Sequence, residues 1–353
     1  MGGGLLQLVA YGAQDAYISG NPQITFWKGL FKRHTNFAME PFRINFSGQI
    51  QWGTKQTALV GRHADLLYST YVEVVLPKKT EGGDDYYWNN DDGLLGYNLI
   101  KHVEIDIGGQ VVDRMYSEFM AIWGRLTSEN SRFANLQKLL SGPAANTGAS
   151  VLTYDAGCAS DGRQINMNVL YIPLPFFFTR NPGAALPLIA LQYHEVKINV
   201  LWNETQFIAG NFTSATVTES GQTRPPIQEL PQAIQAALYI DYIYLDTEER
   251  RRMAQASHEY LIEQTQFNED KGIRGANNRI DLTFNHPVKE LIWVVQPAAY
   301  TDCRIAAAIP ETRLKPFTSG TNPVLEQWLQ INGQDRLDRR YGDYFNKVQP
   351  YQH

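Results

Sequence analysis

Apolar and polar residues alternate with period two along much of the chain. Phe42, Ile44 and Phe46 fall on one face of an extended segment while Arg43, Asn45 and Ser47 fall on the other. Val103, Ile105 and Ile107 alternate with Glu104 and Asp106, and Val196, Ile198, Val200 and Trp202 with Glu195, Lys197 and Asn199. Successive side chains of a strand point to opposite faces, so each pattern predicts a half-buried strand of a sandwich sheet. Leu66 to Leu76, Asn168 to Ile172 and Leu238 to Leu245 are apolar on both parities and predict strands buried on both faces. Helical spacing is rarer. It predicts one helix from about Ser117 to Ser128 and another from about Ser131, carrying Phe133, Leu136 and Leu140 and stopped by Gly142-Pro143. These are insertions in an all-β fold.

Asp246-Thr-Glu-Glu-Arg-Arg-Arg-Met253 interrupts the strands. Asp246 and Glu249 have capping-box spacing, which predicts a short solvated linker helix between domains. Beyond it the strand pattern resumes at Tyr260-Leu261-Ile262 and at Ile280, Leu282 and Phe284. An internal echo supports two domains. Ile105-Asp-Ile-Gly-Gly-Gln110 with Asp113-Arg114 and Tyr116 is matched by Leu329-Gln-Ile-Asn-Gly-Gln334 with Asp338-Arg339 and Tyr341, one residue inserted between the registers. A strand ending in proline precedes each copy, at Pro77 and Pro297.

A length of 353 residues suits two cores, and 12% aromatic residues with frequent Gly and Pro suit many short strands. A net charge of -5 gives no broad basic field for phosphates, so direct nucleic-acid binding is not expected. The cysteines, Cys158 and Cys303, lack metal-ligand spacing and fit reduced, cytosolic folding. The N-terminus lacks a signal-peptide pattern, and Leu6 falls where myristoylation wants Ser or Thr.

Catalytic and metal chemistry find no constellation. His34, His63, His102 and His194 are scattered without a His-x-His pair, and His194 and Glu195 point to opposite faces of one strand. Asp84, Asp85, Asp91 and Asp92 surround Tyr86, Tyr87 and Trp88 in what reads as a long exposed loop, without the register of a calcium loop. Neither a Gly-x-Ser-x-Gly elbow nor a phosphate-binding loop occurs, and Arg250 to Arg252 reads as a solvated helix face. The sequons at Asn45, Asn203 and Asn211 are idle without secretion. No enzyme, cofactor or metal is therefore expected.

Leu8-Val-Ala-Tyr-Gly-Ala-Gln-Asp15, Asn21-Pro-Gln-Ile-Thr-Phe-Trp-Lys28 and Arg33-His-Thr-Asn-Phe-Ala38 resemble the N-terminal signature of capsid proteins of nucleocytoplasmic large DNA viruses. Pro187 to Val196, Leu245 to Arg251, and Asn332-Gly333 leading to Tyr344-Phe345 extend the resemblance over nearly the whole chain. The resemblance implies two tandem jelly-roll barrels, with three copies forming a pseudo-hexagonal capsomer of an icosahedral shell. It implies an arm at residues 1–24, a first jelly roll at 25–247, a linker helix at 248–256 and a second jelly roll at 257–353. Asp15, Asn21, Pro22, Arg33, His34, Thr35 and Asn36 become candidate assembly residues of the arm and its exit. Neighbouring capsomers, minor capsid and penton proteins and an internal membrane are the implied partners, with assembly in the host cytoplasm. Family members usually continue past the Tyr344-Phe345 region, so part of the second barrel is expected to be missing here. The competing reading is a carbohydrate- or receptor-binding jelly roll that works through Tyr86, Tyr87 and Trp88.

Overall fold

The computed structural model describes residues 12–22, 35–76, 87–88, 94–141, 169–210, 217–219, 222–224, 233–270, 273, 277–295, 322 and 324–352. The chain divides into two compact units, one built on Thr35–Thr265 with Gln296–Pro316, the other on Met1–His34, Gln266–Val295 and Phe317–His353.

In the smaller unit α1 (Ala13–Ser19) lies near the N-terminus. The larger unit begins with β1 (Phe37–Asn45), β2 (Lys55–Leu59), β3 (Leu66–Val75) and the two-residue β4 (Tyr87–Trp88). β5 (Ile100–Ile107) and β6 (Gln110–Tyr116) follow, then α2 (Ser117–Thr127) and α3 (Asn130–Ser141), the two helices read from spacing. β7 (Val169–Pro173), β8 (Leu186–Pro187), β9 (Val196–Trp202) and β10 (Ala209–Gly210) come next. A hairpin of β11 (Val217–Glu219) and β12 (Gln222–Arg224), then β13 (Gln235–Leu245) and α4 (Thr247–Gln255), complete its regular elements.

One sheet runs β1-β13-β3-β7 with β8 beside β3, and the other runs β2-β9-β5-β6. Leaving aside the short β4, β8 and β10 to β12, the first sheet holds the first, eighth, third and sixth main strands, and the second holds the second, seventh, fourth and fifth. The pairings are antiparallel, and consecutive strands repeatedly cross between sheets, which is jelly-roll connectivity. The inward residues make one core, with Val72, Val74, Ile105, Ile172, Ile198, Trp202, Leu238 and Tyr242 fully covered. Tyr242 donates its hydroxyl proton to the Gly61 carbonyl at 2.7 Å, which satisfies its polar end inside that core.

Of the three segments expected to be buried on both faces, β3 and β13 are so at one end, where Leu66 with Leu67 and Tyr242 with Ile243 are buried in succession, and elsewhere they are half-buried, as is β7. β3 and β7 alternate in exposure, and Tyr71, Tyr171 and Tyr239 occupy outward positions. A tyrosine counts as apolar in a pattern yet keeps its hydroxyl near water, so apolar residues on both parities overstate burial.

In the smaller unit β14 (Glu326–Ile331) and β15 (Gln334–Tyr341) form a hairpin that repeats the one between β5 and β6. Both turns have two positive-φ residues, Gly108 (64°) with Gly109 (88°) and Asn332 (51°) with Gly333 (77°), as two-residue hairpins with type I′ geometry require. The register of the first hairpin shifts once, between Ile105 and Asp106, whereas that of the second shifts twice, between Gln327 and Leu329 and between Leu329 and Gln330. The residue inserted between the sequence copies is absorbed by the extra bulge.

The other strands expected after the linker differ. Residues 257–270 and 277–295 carry no assigned strand, and Leu261, Ile280 and Leu282 are exposed. Alternation determines which side chains share a face, but a ladder also needs backbone-to-backbone pairing, and the contacts of these segments run through side chains instead, as where the Gln266 amide bonds the Asn285 backbone.

Candidate assembly surfaces

The described candidate arm residues divide between the two units, Asp15, Asn21 and Pro22 in the smaller and Thr35 and Asn36 in the larger. Asp15 accepts a hydrogen bond from the Gly12 backbone N–H at 2.8 Å and thereby holds the first turn of α1. Asn21 (φ 50°) and Pro22 are exposed just beyond that helix, with Asn21 in the left-handed region that asparagine tolerates. Within the same unit Gln14 hydrogen-bonds His286 at 3.3 Å. Arg33 and His34 lie outside the described residues. Thr35 and Asn36 are exposed, and the Thr35 hydroxyl donates to Glu249 of α4.

That contact alters the picture of the linker helix. Asp246 stands at its N-cap without a side-chain cap hydrogen bond, and the Glu249 carboxylate accepts from the Thr35 hydroxyl. Arg250 pairs with the buried Asp65 at 2.9 Å, and the other Asp65 oxygen accepts the Leu245 N–H at 3.0 Å. Met253 packs on a small apolar cluster of Leu66, Ala185 and Ile243. The helix is thus fastened to the larger unit rather than solvated on all sides. Sequence spacing could not reveal this, since Asp65 is remote from Arg250 along the chain.

The exposed-loop candidates are only partly described. Tyr86 lies outside the described residues, while Tyr87 and Trp88 form β4, which pairs with Ala209–Gly210. Cys158, Cys303 and Asn211 also lie outside. Asn203 is buried and donates to the Asn98 carbonyl at 3.1 Å, which leaves its amide occupied. Among the described residues no cluster of three or more His, Cys, Asp or Glu is arranged to hold a metal ion, and no helix is long and apolar enough to cross a membrane.

Two polar arrangements escaped the sequence reading. On the outward side of the β2-β9-β5-β6 sheet, Glu104 is covered by Lys55 and Arg114, with Arg114 Nε at 2.6 Å and His102 at 3.4 Å. Elsewhere Arg180 lies over the Trp123 ring at 4.2 Å, bonds the Pro175 carbonyl at 3.0 Å and pairs with Glu263 at 3.1 Å. Next to Glu263, Gln264 donates to the Val112 carbonyl at 2.6 Å and the Thr265 N–H to Asp113 at 2.8 Å. Residues 263–265 therefore lie along the edge strand β6 and occupy its Val112 carbonyl, a group that would otherwise be open to a foreign strand.

Two predictions concern this segment. Arg180→Ala should destabilise the larger unit by about 1–2 kcal/mol through lost stacking and a lost charged hydrogen bond, and should speed amide exchange at residues 263–265. Arg180→Lys should recover only part of this, because an ammonium cannot supply the flat fork. Asp113 is buried, and its second carboxylate oxygen has no partner among the described residues. Burial raises its pKa above 3.8, outweighing the lowering by the Thr265 N–H and Arg180. The folded state then holds its proton more tightly than the unfolded state, so stability is lost as pH climbs through the raised value. Thermal melts of Asp113→Asn should accordingly gain on the parent as pH rises from 4 to 7; a gain on acidification would refute the assignment.

Comparison with known proteins decides the family. Residues 25–246 match the family model described as major capsid protein N-terminus, and residues 249–353 match that of the large eukaryotic DNA virus major capsid protein. The chain belongs to the major capsid proteins of large eukaryotic DNA viruses. The capsid protein is 37% identical to the major capsid protein of Phaeocystis pouchetii virus, over 100% of this chain and 85% of that one. It is 40% identical to that of Pyramimonas orientalis virus (100% and 76% covered) and 38% identical to that of Paramecium bursaria Chlorella virus 1 (100% and 78%). Among solved structures it matches the VP54 crystal structure of the last virus, fitted into a reconstruction of the virophage Sputnik, with a TM-score of 0.65 at 31% identity, covering 93% of this chain and 77% of that one. The fold is accordingly that of a tandem jelly-roll capsid protein, a component of the virion shell. The family is structural and not enzymatic.

Proposed function

We propose that three copies of this capsid protein associate into a pseudo-hexagonal capsomer, and that such capsomers tile an icosahedral shell. The observation that carries this reading is the repeated hairpin of β5-β6 and β14-β15. One chain bearing two similar barrels turns a threefold ring into six similar lobes, which suits a hexagonal lattice. Many modest interfaces then add up through lattice closure. On this reading residues 1–24 act as an arm, 25–247 and 257–353 as the two jelly rolls and 248–256 as the linker helix.

Asp15, Asn21, Pro22, Arg33, His34, Thr35 and Asn36 would meet neighbouring capsomers, minor capsid or penton proteins, or an internal membrane. Tyr86, Tyr87 and Trp88 would belong to outer-surface decoration, and assembly would take place in the host cytoplasm without direct nucleic-acid contact. Light scattering on the purified chain should give three times the monomer mass, and electron microscopy should show hexagonal arrays at high concentration. A persistent monomer whose melting temperature rises with added sugars would overturn the reading in favour of a lectin.

A further inference from the structure

The two hairpins share a backbone geometry but not its surroundings. At the tip of β5-β6 both turn nitrogens are occupied, since the Gly108 N–H donates to the Glu195 carbonyl at 2.8 Å and the Gly109 N–H to Asp106 Oδ1 at 2.8 Å. At the tip of β14-β15 neither Asn332 nor Gly333 has a hydrogen-bond partner among the described residues. Gln330 stands where Asp106 stands in the first copy, but its amide donates to Asp335 at 2.8 Å instead of accepting from the turn. Asn332 and Gly333 are exposed, and a Cβ added to Gly333 would meet nothing within 4 Å. The tip is bare and its nitrogen is open.

We propose that Asn332 is a site of spontaneous deamidation, with the Gly333 nitrogen as nucleophile and water as co-reactant. The nitrogen gives up its proton to solvent and bonds Asn332 Cγ, the bond from Cγ to Nδ2 breaks, and ammonia leaves. A five-membered succinimide remains. Water then adds to one of its two carbonyls: cleavage at Cγ leaves aspartate at this position, and cleavage at the main-chain carbon leaves isoaspartate, with the chain running through Cγ. No electrons change hands, and either product adds one negative charge.

The sequence and the turn both favour this position. Asn-Gly occurs once in the chain, and only glycine presents its nitrogen to the preceding side chain without a Cβ in the way. Other asparagines lack one requirement. Asn181 precedes proline, which has no N–H, and the Asn203 amide is buried and engaged. The first hairpin carries glycine at both turn positions and has no side chain to react. Isoaspartate would also lengthen the main chain inside a two-residue turn that depends on positive φ at both positions, 51° and 77°. The added atom would open the pairing of Ile331 with Gln334, and no third strand among the described residues holds β14 and β15 in register. This inference is independent of the trimer reading.

Peptide mass mapping of the full chain during storage in mildly alkaline buffer tests it. The segment 326–341 should gain about 1 Da. Asn332 should react about tenfold or more faster than any other asparagine, and part of the product should be a substrate for an isoaspartate-specific methyltransferase. Asn332→Gly, which recreates the Gly-Gly tip of the first hairpin, should abolish the product and keep the fold. Gln330→Asp, which offers Gly333 the acceptor that Asp106 offers Gly109, should slow the reaction about fivefold, the effect of one ordinary hydrogen bond on the nucleophile. Amide exchange at residues 326–341 should quicken in the aged parent and stay unchanged in aged Asn332→Gly. A full chain whose Asn332 stays intact while a synthetic peptide of residues 326–341 deamidates would overturn the proposal, and so would equal rates at the other asparagines. An unaltered rate in folded Gln330→Asp would overturn the role given to the open Gly333 N–H.

Discussion

Replacing Trp202 with alanine should destabilise the larger unit by about 3–5 kcal/mol, the range for deleting a fully buried tryptophan. Trp202 ends β9, opposite Ile100, and is completely covered, with Phe46 and Trp52 against it at centroid separations of 6.4 and 6.1 Å. It joins the two sheets, since Phe46 follows β1 while Trp202 belongs to the opposite sheet. The loss would be a large share of a typical domain stability of about 5–15 kcal/mol. Urea unfolding of the purified chain gives the value directly. Trp202→Phe should cost far less than alanine, because it keeps most of the ring and removes an indole N–H that has no partner among the described residues. Equal losses for Phe and Ala would mean that shape at this position matters more than the volume filled.

Trp202 also shows what the sequence makes legible. Val196, Ile198, Val200 and Trp202 alternate with polar residues, and that alternation alone places them on the inner face of a strand. Asn332-Gly333 and Gly108-Gly109 were equally readable, because few residues tolerate two positive φ angles in succession. Other features depend on partners distant in sequence. Glu104 has the position of an outward, solvated strand residue, yet its side chain is 1% exposed because Lys55, 49 residues away, and Arg114 fold over it. Arg180 finds Glu263 across 83 residues. The tyrosines of β3, β7 and β13 point the other way: their apolar rings suggested burial on both faces, and pairing into one sheet left the outward rings half-exposed. Local pattern reports which side chains share a face, and only the tertiary pairing determines what covers that face.

Glu104 is where this hidden pairing has the largest expected consequence for charge. Glu104→Ala should cost about 2–3 kcal/mol: charged hydrogen bonds contribute roughly 1.5–3 kcal/mol each, discounted because Lys55 and Arg114 remain partly hydrated and can return to water. Burial by itself would raise the Glu104 pKa, but the hydrogen bond from Lys55 and the charges of Arg114 and Lys55 outweigh it and hold the carboxyl below its ordinary value of 4.5. The native state therefore favours the carboxylate, and its contribution is fully present above pH 4.5 and disappears as pH falls through the lowered value. Burial also keeps the neighbouring His102 below its ordinary value, against the opposing pull of Glu104, so near neutral pH the imidazole adds little positive charge to the cluster. The stability gap between parent and Glu104→Gln should be constant from pH 6 to 8 and should close on acidification. Asp113, one strand away on β6, predicts the opposite slope because nothing comparable offsets its burial. Melting curves of the two variants across the same pH range should thus diverge from the parent in opposite senses, and a Glu104→Gln gap that persists to pH 3 would show that Lys55 and Arg114 do not stabilise the carboxylate.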